Sequence, residues 1–146
     1  MIDICNATII GFIIGFIGDL GLNISTQRLR ILDAGLINYF PLHGTVEAAF
    51  IAGGLVSFCV YISLLLWEKV IMRKKISEIK HRDTIIYLFV FGCILDLFFR
   101  YLHIMPSLNG MYEKLSIPVS MLFAGGPIAA SFILAILIDN LRSDKD

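Results

Sequence analysis

The sequence predicts an all-α membrane protein with four transmembrane helices in a single membrane domain over residues 1–146. The chain is 58% hydrophobic and only 16% charged, whereas soluble domains are usually about 45–50% apolar. The apolar residues are also grouped into four runs, each close to the ~20 residues that a helix needs to cross ~30 Å of hydrocarbon. The four runs lie at about 6–24, 45–67, 84–105 and 118–138.

The first run carries small and polar residues on one side of the predicted helix. Gly11, Gly15, Asp19 and Asn23 recur at every fourth position and therefore share a helix face. The glycine spacing is typical of helices that approach one another closely in membranes. The stretch at about 27–40 has large apolar residues at spacings of three and four, which predicts an interfacial helix.

The second run is followed by the most basic stretch of the sequence. Glu47 lies near the start of this run, and Trp67, a residue type enriched at membrane boundaries, lies at its end. Six of the 12 lysine and arginine residues then occur at 68–83. By the positive-inside rule this loop is cytoplasmic. Four spans then place the N- and C-termini in the cytoplasm as well, in agreement with Arg142 and Lys145 after the fourth run.

The third and fourth runs differ in their polar content. Asp96, Arg100 and His103 interrupt the third run at helical spacing. The fourth run has no ionisable residue before Asp139, and it contains a Gly-Gly-Pro sequence at 125–127. At such a sequence a helix can bend and backbones can approach one another. We therefore expect the fourth helix to serve in packing.

Short sequence matches predict two parallel repeats of two helices each. The pattern G-x-I-x-D-L occurs at 15–20 and again at 92–97, an offset of 77 residues, and Ala-Gly-Gly occurs at 52–54 and 124–126, an offset of 72. The repeats would be related by an axis along the membrane normal. Asp19 and Asp96 would then face each other across that axis. Matches among such residue types also arise by chance in an apolar chain, and this alternative stays open.

The predicted topology gathers six polar residues in the outer half of the membrane. They are Asp19, His43, Glu47, Asp96, Arg100 and His103. A charge at the bilayer centre costs at least ~2.5–3.5 kcal/mol, so we expect these residues to face one another or water. With neutral histidines the cluster has two excess negative charges, which a protonated carboxyl, a protonated histidine or a bound cation would compensate. Water that reaches Asp19 and Glu47 near the interface is a simpler explanation.

Three hypotheses about function follow from this cluster. In the first, the chain is a small proton- or cation-coupled transporter or pore, and Asp19 and Asp96 carry the proton or ion. In the second, it is a non-catalytic structural or assembly protein whose polar residues lock helix packing. In the third, it is a membrane-embedded lipid-modifying enzyme with His43, Glu47, Asp96 and His103 as acid and base. Enzyme activity thus stays open, and we assign no catalytic residue.

The expected partners are membrane lipid, a proton or cation, and further copies of the chain. Four helices form a narrow bundle, so a continuous pore favours a homo-oligomer. Four residues of the basic loop are predicted to contact anionic lipid headgroups, namely Arg73, Lys74, Lys75 and Lys80. A plain topology signal explains the same charges. The net charge of zero argues against nucleic acid as a partner.

No cofactor or metal is expected from the sequence. His43 and Glu47 have a spacing that a metal could use, but two ligands make a weak site. The three cysteines lack CxxC spacing, so they are interpreted as small core residues. The sequence therefore predicts an integral, multi-pass membrane protein and leaves the identity of the membrane open.

Overall fold

The computed structural model describes residues 3–29, 45–102 and 116–143, and within these ranges the fold is all helical, without a strand. The described residues form four α-helices. In chain order these are α1 (Ile4–Leu29), α2 (Thr45–Leu66), α3 (His81–Leu102) and α4 (Ile117–Ser143).

Three membrane-length apolar helices occur in the described part of the chain. The stretches that are long and apolar enough to cross a membrane are Ile4–Gly21, Ala49–Met72 and Ile117–Ser143. The residues on their outer surface are apolar; on α1, for example, Ile9, Ile13 and Ile17 are about half exposed or more. In water such a surface would be costly, whereas lipid tails accept it. The fold is therefore consistent with a membrane protein.

The helices differ in their bounds from the hydrophobic runs. Helix α1 continues to Leu29, past the predicted end at about 24, and the rest of the predicted interfacial helix at 27–40 lies outside the described residues. The predicted basic loop at 68–83 is partly helical, because a π-helical turn (Trp67–Met72) extends α2 and α3 begins at His81. Hydropathy marks where lipid surrounds a helix, whereas hydrogen bonding and capping decide where the helix ends.

The helices associate as two antiparallel pairs. Helix α1 packs most extensively on α2, and α3 packs on α4; α1 also lies along α4, which joins the pairs. The buried core where the pairs meet contains Val60, Leu64, Leu88 and Phe132, none of which is exposed. Helix α3 therefore packs beside α4, one of the three helices that are long and apolar enough to cross a membrane.

In the first pair, glycines let the helix backbones touch. A Cβ atom on Gly15 would lie 2.7 Å from the Ala52 carbonyl oxygen and 2.9 Å from Gly53 Cα. A Cβ atom on Gly53 would lie 2.8 Å from the Phe12 carbonyl oxygen. Real Cβ atoms do not come this close to backbone atoms, so both positions require glycine. The predicted packing role of Gly15 is confirmed.

The second pair crosses in the same way. A Cβ atom on Gly92 would lie 2.6 Å from Gly125 Cα and 3.1 Å from the Ala124 carbonyl oxygen. A Cβ atom on Gly125 would lie 2.7 Å from the Phe89 carbonyl oxygen. Gly125 belongs to the Gly-Gly-Pro sequence of α4, which thus serves in close packing as predicted.

Trp67 ties the end of α2 to the start of α3. Its indole Nε1 donates a hydrogen bond to Thr84 Oγ1 at 3.0 Å, and its ring stacks on Tyr87 with centroids 4.2 Å apart. Thr84 is completely buried. The connection between the two pairs is therefore held by specific side-chain contacts.

Replacing Thr84 by valine is expected to destabilise the fold by about 0.5–1.5 kcal/mol, the usual net contribution of one hydrogen bond. Denaturant unfolding in detergent, followed by the emission of Trp67, the only tryptophan in the sequence, measures the change. The double variant Trp67→Phe, Thr84→Val removes both partners, and circular dichroism should then show a smaller loss than the sum of the single variants. Additive losses would contradict the bond.

Candidate functional site

A carboxyl group is buried between α3 and α4. Asp96 is 4% exposed and Ser120, in the first turn of α4, is 2% exposed. Ser120 Oγ lies 2.7 Å from Asp96 Oδ2 and donates to it when the carboxyl is ionised. The same Oγ is also within 3.2 Å of the Ile117 carbonyl oxygen. Two oxygen acceptors therefore lie within reach of one serine hydroxyl.

This geometry suits both protonation states of the carboxyl. A serine hydroxyl has one proton to donate and lone pairs to accept. When Asp96 is ionised, the Ser120 proton points at the carboxylate. When Asp96 is protonated, the carboxyl donates to Ser120, and the Ser120 proton turns to the Ile117 carbonyl oxygen. Rotation about one C–O bond thus accommodates the arrival or loss of a proton.

Asp96 lies next to the glycine crossing of its helix pair. It follows Gly92 by one helical turn and shares the α3 face that contacts α4. Cys93 lies on the preceding turn, and its Sγ is 3.7 Å from the Met121 carbonyl oxygen, a long and weak S–H hydrogen bond. Close helix contacts on the turn that precedes Asp96 therefore fix its position against α4.

In the first pair, Asp19 lies at the position on α1 that corresponds to Asp96 on α3, 77 residues later. It is also 4% exposed, and it follows Gly15 by one helical turn. The position in α2 that corresponds to Ser120, at the offset of 72 residues, is Ala48, which has no hydroxyl group. The two carboxyl groups therefore share a helix position but differ in this potential partner.

The buried residues of α1 lie at positions whose counterparts 77 residues later, on α3, are also buried. On α1 the buried residues with described side chains are Ala7, Gly11, Gly15 and Asp19. Each of these has a buried counterpart on α3, which is Thr84, Leu88, Gly92 and Asp96 respectively. At these four positions the two helices present corresponding residues to the interior, whereas Cys93, also buried on α3, has the half-buried Phe16 as its counterpart.

The described residues cover part of the predicted polar cluster. His43 and His103 lie outside the described residues. Glu47 and Arg100 lie on α2 and α3, and their side chains are outside the description. Asp96 is hydrogen-bonded to Ser120 of its own helix pair, and the placement of Asp19 and Asp96 across a common axis stays a prediction. In the described part of the chain, no three metal-binding side chains lie together.

The sequence does not single out Ser120. In an apolar run a serine has the same appearance as the other small residues that serve in packing, such as Ser131 or Ala130. Its position one helical turn before Ala124 would indicate the α4 face that contacts α3. Its bond to Asp96, however, depends on the register of two helices, which one sequence does not reveal.

A second polar feature lies in the connection between α2 and α3. It is a groove of about 380 Å³ lined by Glu68, Lys69, Arg73, Lys74 and Lys75. Three of the four predicted headgroup residues line it, whereas Lys80 is exposed and is not among the lining residues. We call this feature the basic groove.

The described residues thus contain a carboxyl–hydroxyl pair inside the helix bundle and a basic groove at one end of α2. Comparison of the chain with protein-family models, with curated protein sequences and with solved structures gives no match.

Proposed function

We propose that the chain is a proton-coupled membrane transporter or pore in which Asp96 binds the proton. The supporting observation is the buried Asp96 carboxyl and its hydrogen bond to Ser120, whose hydroxyl has a second acceptor within reach. Ionisable residues inside a membrane are costly and commonly mark proton relays or ion pathways. A carboxyl whose partner can adapt to both protonation states fits a proton relay.

A proton fits this site better than a metal cation does. A bound proton needs one acceptor, and Ser120 Oγ provides it at 2.7 Å from Asp96 Oδ2. A cation such as Ca²⁺ takes six to eight oxygen ligands, ~2.3–2.6 Å away. The contact between Asp96 and Ser120 has the length of a hydrogen bond between oxygen atoms. We therefore propose the proton as the transported ion. A metal cation is the alternative, and flux measurements distinguish the two.

In the proposed topology, α3 is a fourth transmembrane span and both termini lie in the cytoplasm. Helix α3 has 22 residues, or ~33 Å of length, enough to cross the hydrocarbon. Its packing along α4 supports a membrane position. The basic groove, which contains Arg73, Lys74 and Lys75, marks its end of the bundle as cytoplasmic by the positive-inside rule.

Labelling of Cys5 tests this orientation. Cys5 is exposed at the start of α1. In a variant with Cys59 and Cys93 replaced by alanine, a membrane-impermeant maleimide should label Cys5 only after the cells are permeabilised. Ser143→Cys at the end of α4, in a background without the other cysteines, should behave in the same way. Labelling of either residue in intact cells would contradict the orientation.

We also infer that the two helix pairs are a duplicated unit. The sequence offsets of 77 and 72 residues also relate the contacts of the two glycine crossings. Gly15 meets the Ala52 oxygen and Gly53 Cα, as Gly92 meets the Ala124 oxygen and Gly125 Cα, and the Phe12 and Phe89 carbonyls correspond likewise. Chance matches of apolar residues have no reason to reproduce the same atomic contacts. In this duplication the difference between Ala48 and Ser120 makes Asp96 the distinctive carboxyl.

Proton flux into proteoliposomes tests the proposed function. With an imposed pH gradient and an entrapped pH-sensitive dye, wild-type protein should dissipate the gradient and Asp96→Asn should abolish this flux, because an amide does not exchange a proton. Asp19→Asn should reduce the flux if both carboxyl groups lie on the path. Asp83→Asn, in the first turn of α3 and away from the Asp96–Ser120 pair, is the control and should leave the flux unchanged.

Two results would overturn proton transport. One is wild-type vesicles that dissipate the gradient no faster than empty vesicles. The other is a Na⁺ or K⁺ flux that Asp96→Asn abolishes while proton flux is absent, which would identify a cation as the cargo.

The structural or assembly role remains a second candidate, because the Asp96–Ser120 bond also joins α3 to α4. On this alternative, Asp96→Asn keeps a hydrogen bond to Ser120 and preserves the fold, and no flux is measured for any variant. The lipid-modifying enzyme depends on His43 and His103, which lie outside the described residues, and it stays a prediction.

A further inference from the structure

The basic groove concentrates positive charge at the end of α2. Four of its five lining residues are cations, and one, Glu68, is a carboxylate. The groove begins at Glu68, directly after Trp67, and tryptophan is enriched at the membrane boundary. The groove therefore lies where lipid headgroups would be within reach of its side chains.

Glu68 joins the π-helical turn to the chain that follows Lys75. Its carboxylate forms an ion pair with Lys69 at 2.9 Å and accepts a hydrogen bond from the Ile76 backbone N–H at 3.2 Å. Ile76 is buried, 2% exposed, and anchors the far side of the turn. The carboxylate is thus engaged in building the groove and offsets the charge of Lys69.

Arg73 turns the chain back within the groove. Its backbone is left-handed, with φ 51° and ψ 32°, and among described residues other than glycine it alone has a positive φ. This conformation costs an L-residue roughly 1–2 kcal/mol, whereas glycine adopts it freely. The turn places Lys74 and Lys75 in the same groove as Lys69.

Four cations and one carboxylate line the groove, so its lining side chains carry three excess positive charges. Arg73, Lys74 and Lys75 are exposed and line one volume of about 380 Å³. Like charges held close together repel, and a bound anion relieves this repulsion. A phosphate group offers several acceptor oxygens and up to two negative charges, and arginine and lysine are its usual ligands.

We propose that the basic groove binds a phosphate group through Arg73, Lys74 and Lys75, with Glu68 as the residue that shapes the groove. Its place at the membrane boundary favours a phosphorylated lipid headgroup as the carrier, and a free phosphate compound shares the same chemistry. This site does not depend on proton transport.

The binding test uses the full chain in nanodiscs. Discs of phosphatidylcholine alone, with phosphatidylserine and with a phosphatidylinositol phosphate are compared by thermal unfolding. The first two lipids carry only a phosphodiester, whereas the third also carries a phosphomonoester with up to two negative charges. Soluble inositol phosphate and inorganic phosphate are titrated against Trp67 emission. The phosphorylated lipid should stabilise the protein. Arg73→Gln should weaken binding about tenfold or more, the usual effect of losing one charge-assisted hydrogen bond. Lys80→Gln, in the same connection between α2 and α3 but not lining the groove, should have little effect.

Arg73→Gly separates folding from binding. It removes the cation and the left-handed strain together, so the protein should be at least as stable as wild type but bind phosphate as weakly as Arg73→Gln. Binding of the lipid without binding of the soluble compounds would identify a headgroup as the ligand, and equal binding of inositol phosphate would identify a free phosphate compound.

Three outcomes would overturn the phosphate site. They are the absence of binding to every phosphate probe, equal stabilisation by phosphatidylserine and the phosphorylated lipid, and equal weakening by Lys80→Gln and Arg73→Gln. The last two would show a diffuse positive charge that serves as a topology signal.

Discussion

Gly92→Ala is expected to destabilise the α3–α4 pair by about 1–3 kcal/mol, the usual cost of overpacking a close contact. The new Cβ would lie 2.6 Å from Gly125 Cα and 3.0 Å from Gly125 N. Both are backbone atoms, so relief requires the helices to separate rather than a side chain to turn. The ratio of folded to unfolded protein should fall about 5- to 150-fold, as measured by denaturant unfolding in detergent.

Gly126→Ala is the matched control. Gly126 lies next to Gly125 on α4, and a Cβ there would meet nothing within 4 Å. This variant should unfold like wild type or gain up to ~1 kcal/mol, because alanine favours the helix. In the first pair, Gly15→Ala should destabilise and Gly18→Ala should not, since Gly18 also has open space. Equal effects of Gly92→Ala and Gly126→Ala would contradict the close crossing.

Ser120→Ala is expected to slow proton flux in proteoliposomes about tenfold or more. Ser120 Oγ lies 2.7 Å from Asp96 Oδ2, and a hydrogen bond to a charged group contributes about 1.5–3 kcal/mol, which the alanine variant loses. Ser120→Thr retains the hydroxyl and should restore most of the flux. Initial rates of pH-gradient dissipation, normalised to reconstituted protein, provide the measurement.

Ser131→Ala controls for the loss of a buried hydroxyl from the same helix. Ser131 is fully buried, and its Oγ donates to the Pro127 carbonyl oxygen of α4 at 2.7 Å, so it has no part in the proposed proton site. The proton flux of Ser131→Ala should remain near that of wild type. If Ser120→Ala lowers stability but leaves flux intact, the Asp96–Ser120 bond serves packing alone.

The coarse fold could be read from hydrophobic patterning. Each run long enough to cross a membrane corresponds to a helix in the described residues, and three of these helices meet the length and apolarity of a span. The role of Gly15 in packing also followed from its spacing. The helix ends differ, as at Leu29 and His81, because polar residues continue a helix beyond the apolar part of the chain.

The candidate site could be read only in part. An acidic residue in an apolar run, such as Asp96, is visible because its cost in lipid is a property of the residue itself. Its partner is not, because Ser120 is 24 residues away in the chain and becomes a neighbour only through the register of α3 on α4. The same holds for the basic groove, whose lining includes Lys69, which was not predicted to contact headgroups, and leaves out Lys80, which was.

Composition, run length and charge are local properties, and they are sufficient to predict helices, lipid exposure and the presence of buried carboxyl groups. Contacts between helices depend on which faces meet and at what height. In this protein the two glycine crossings determine which helix faces meet, because the backbones touch at Gly15 and Gly92. A larger residue at either position would hold the backbones apart. The partner of Asp96 follows from the second crossing, one helical turn away, and was therefore settled by packing rather than by the pattern of the chain.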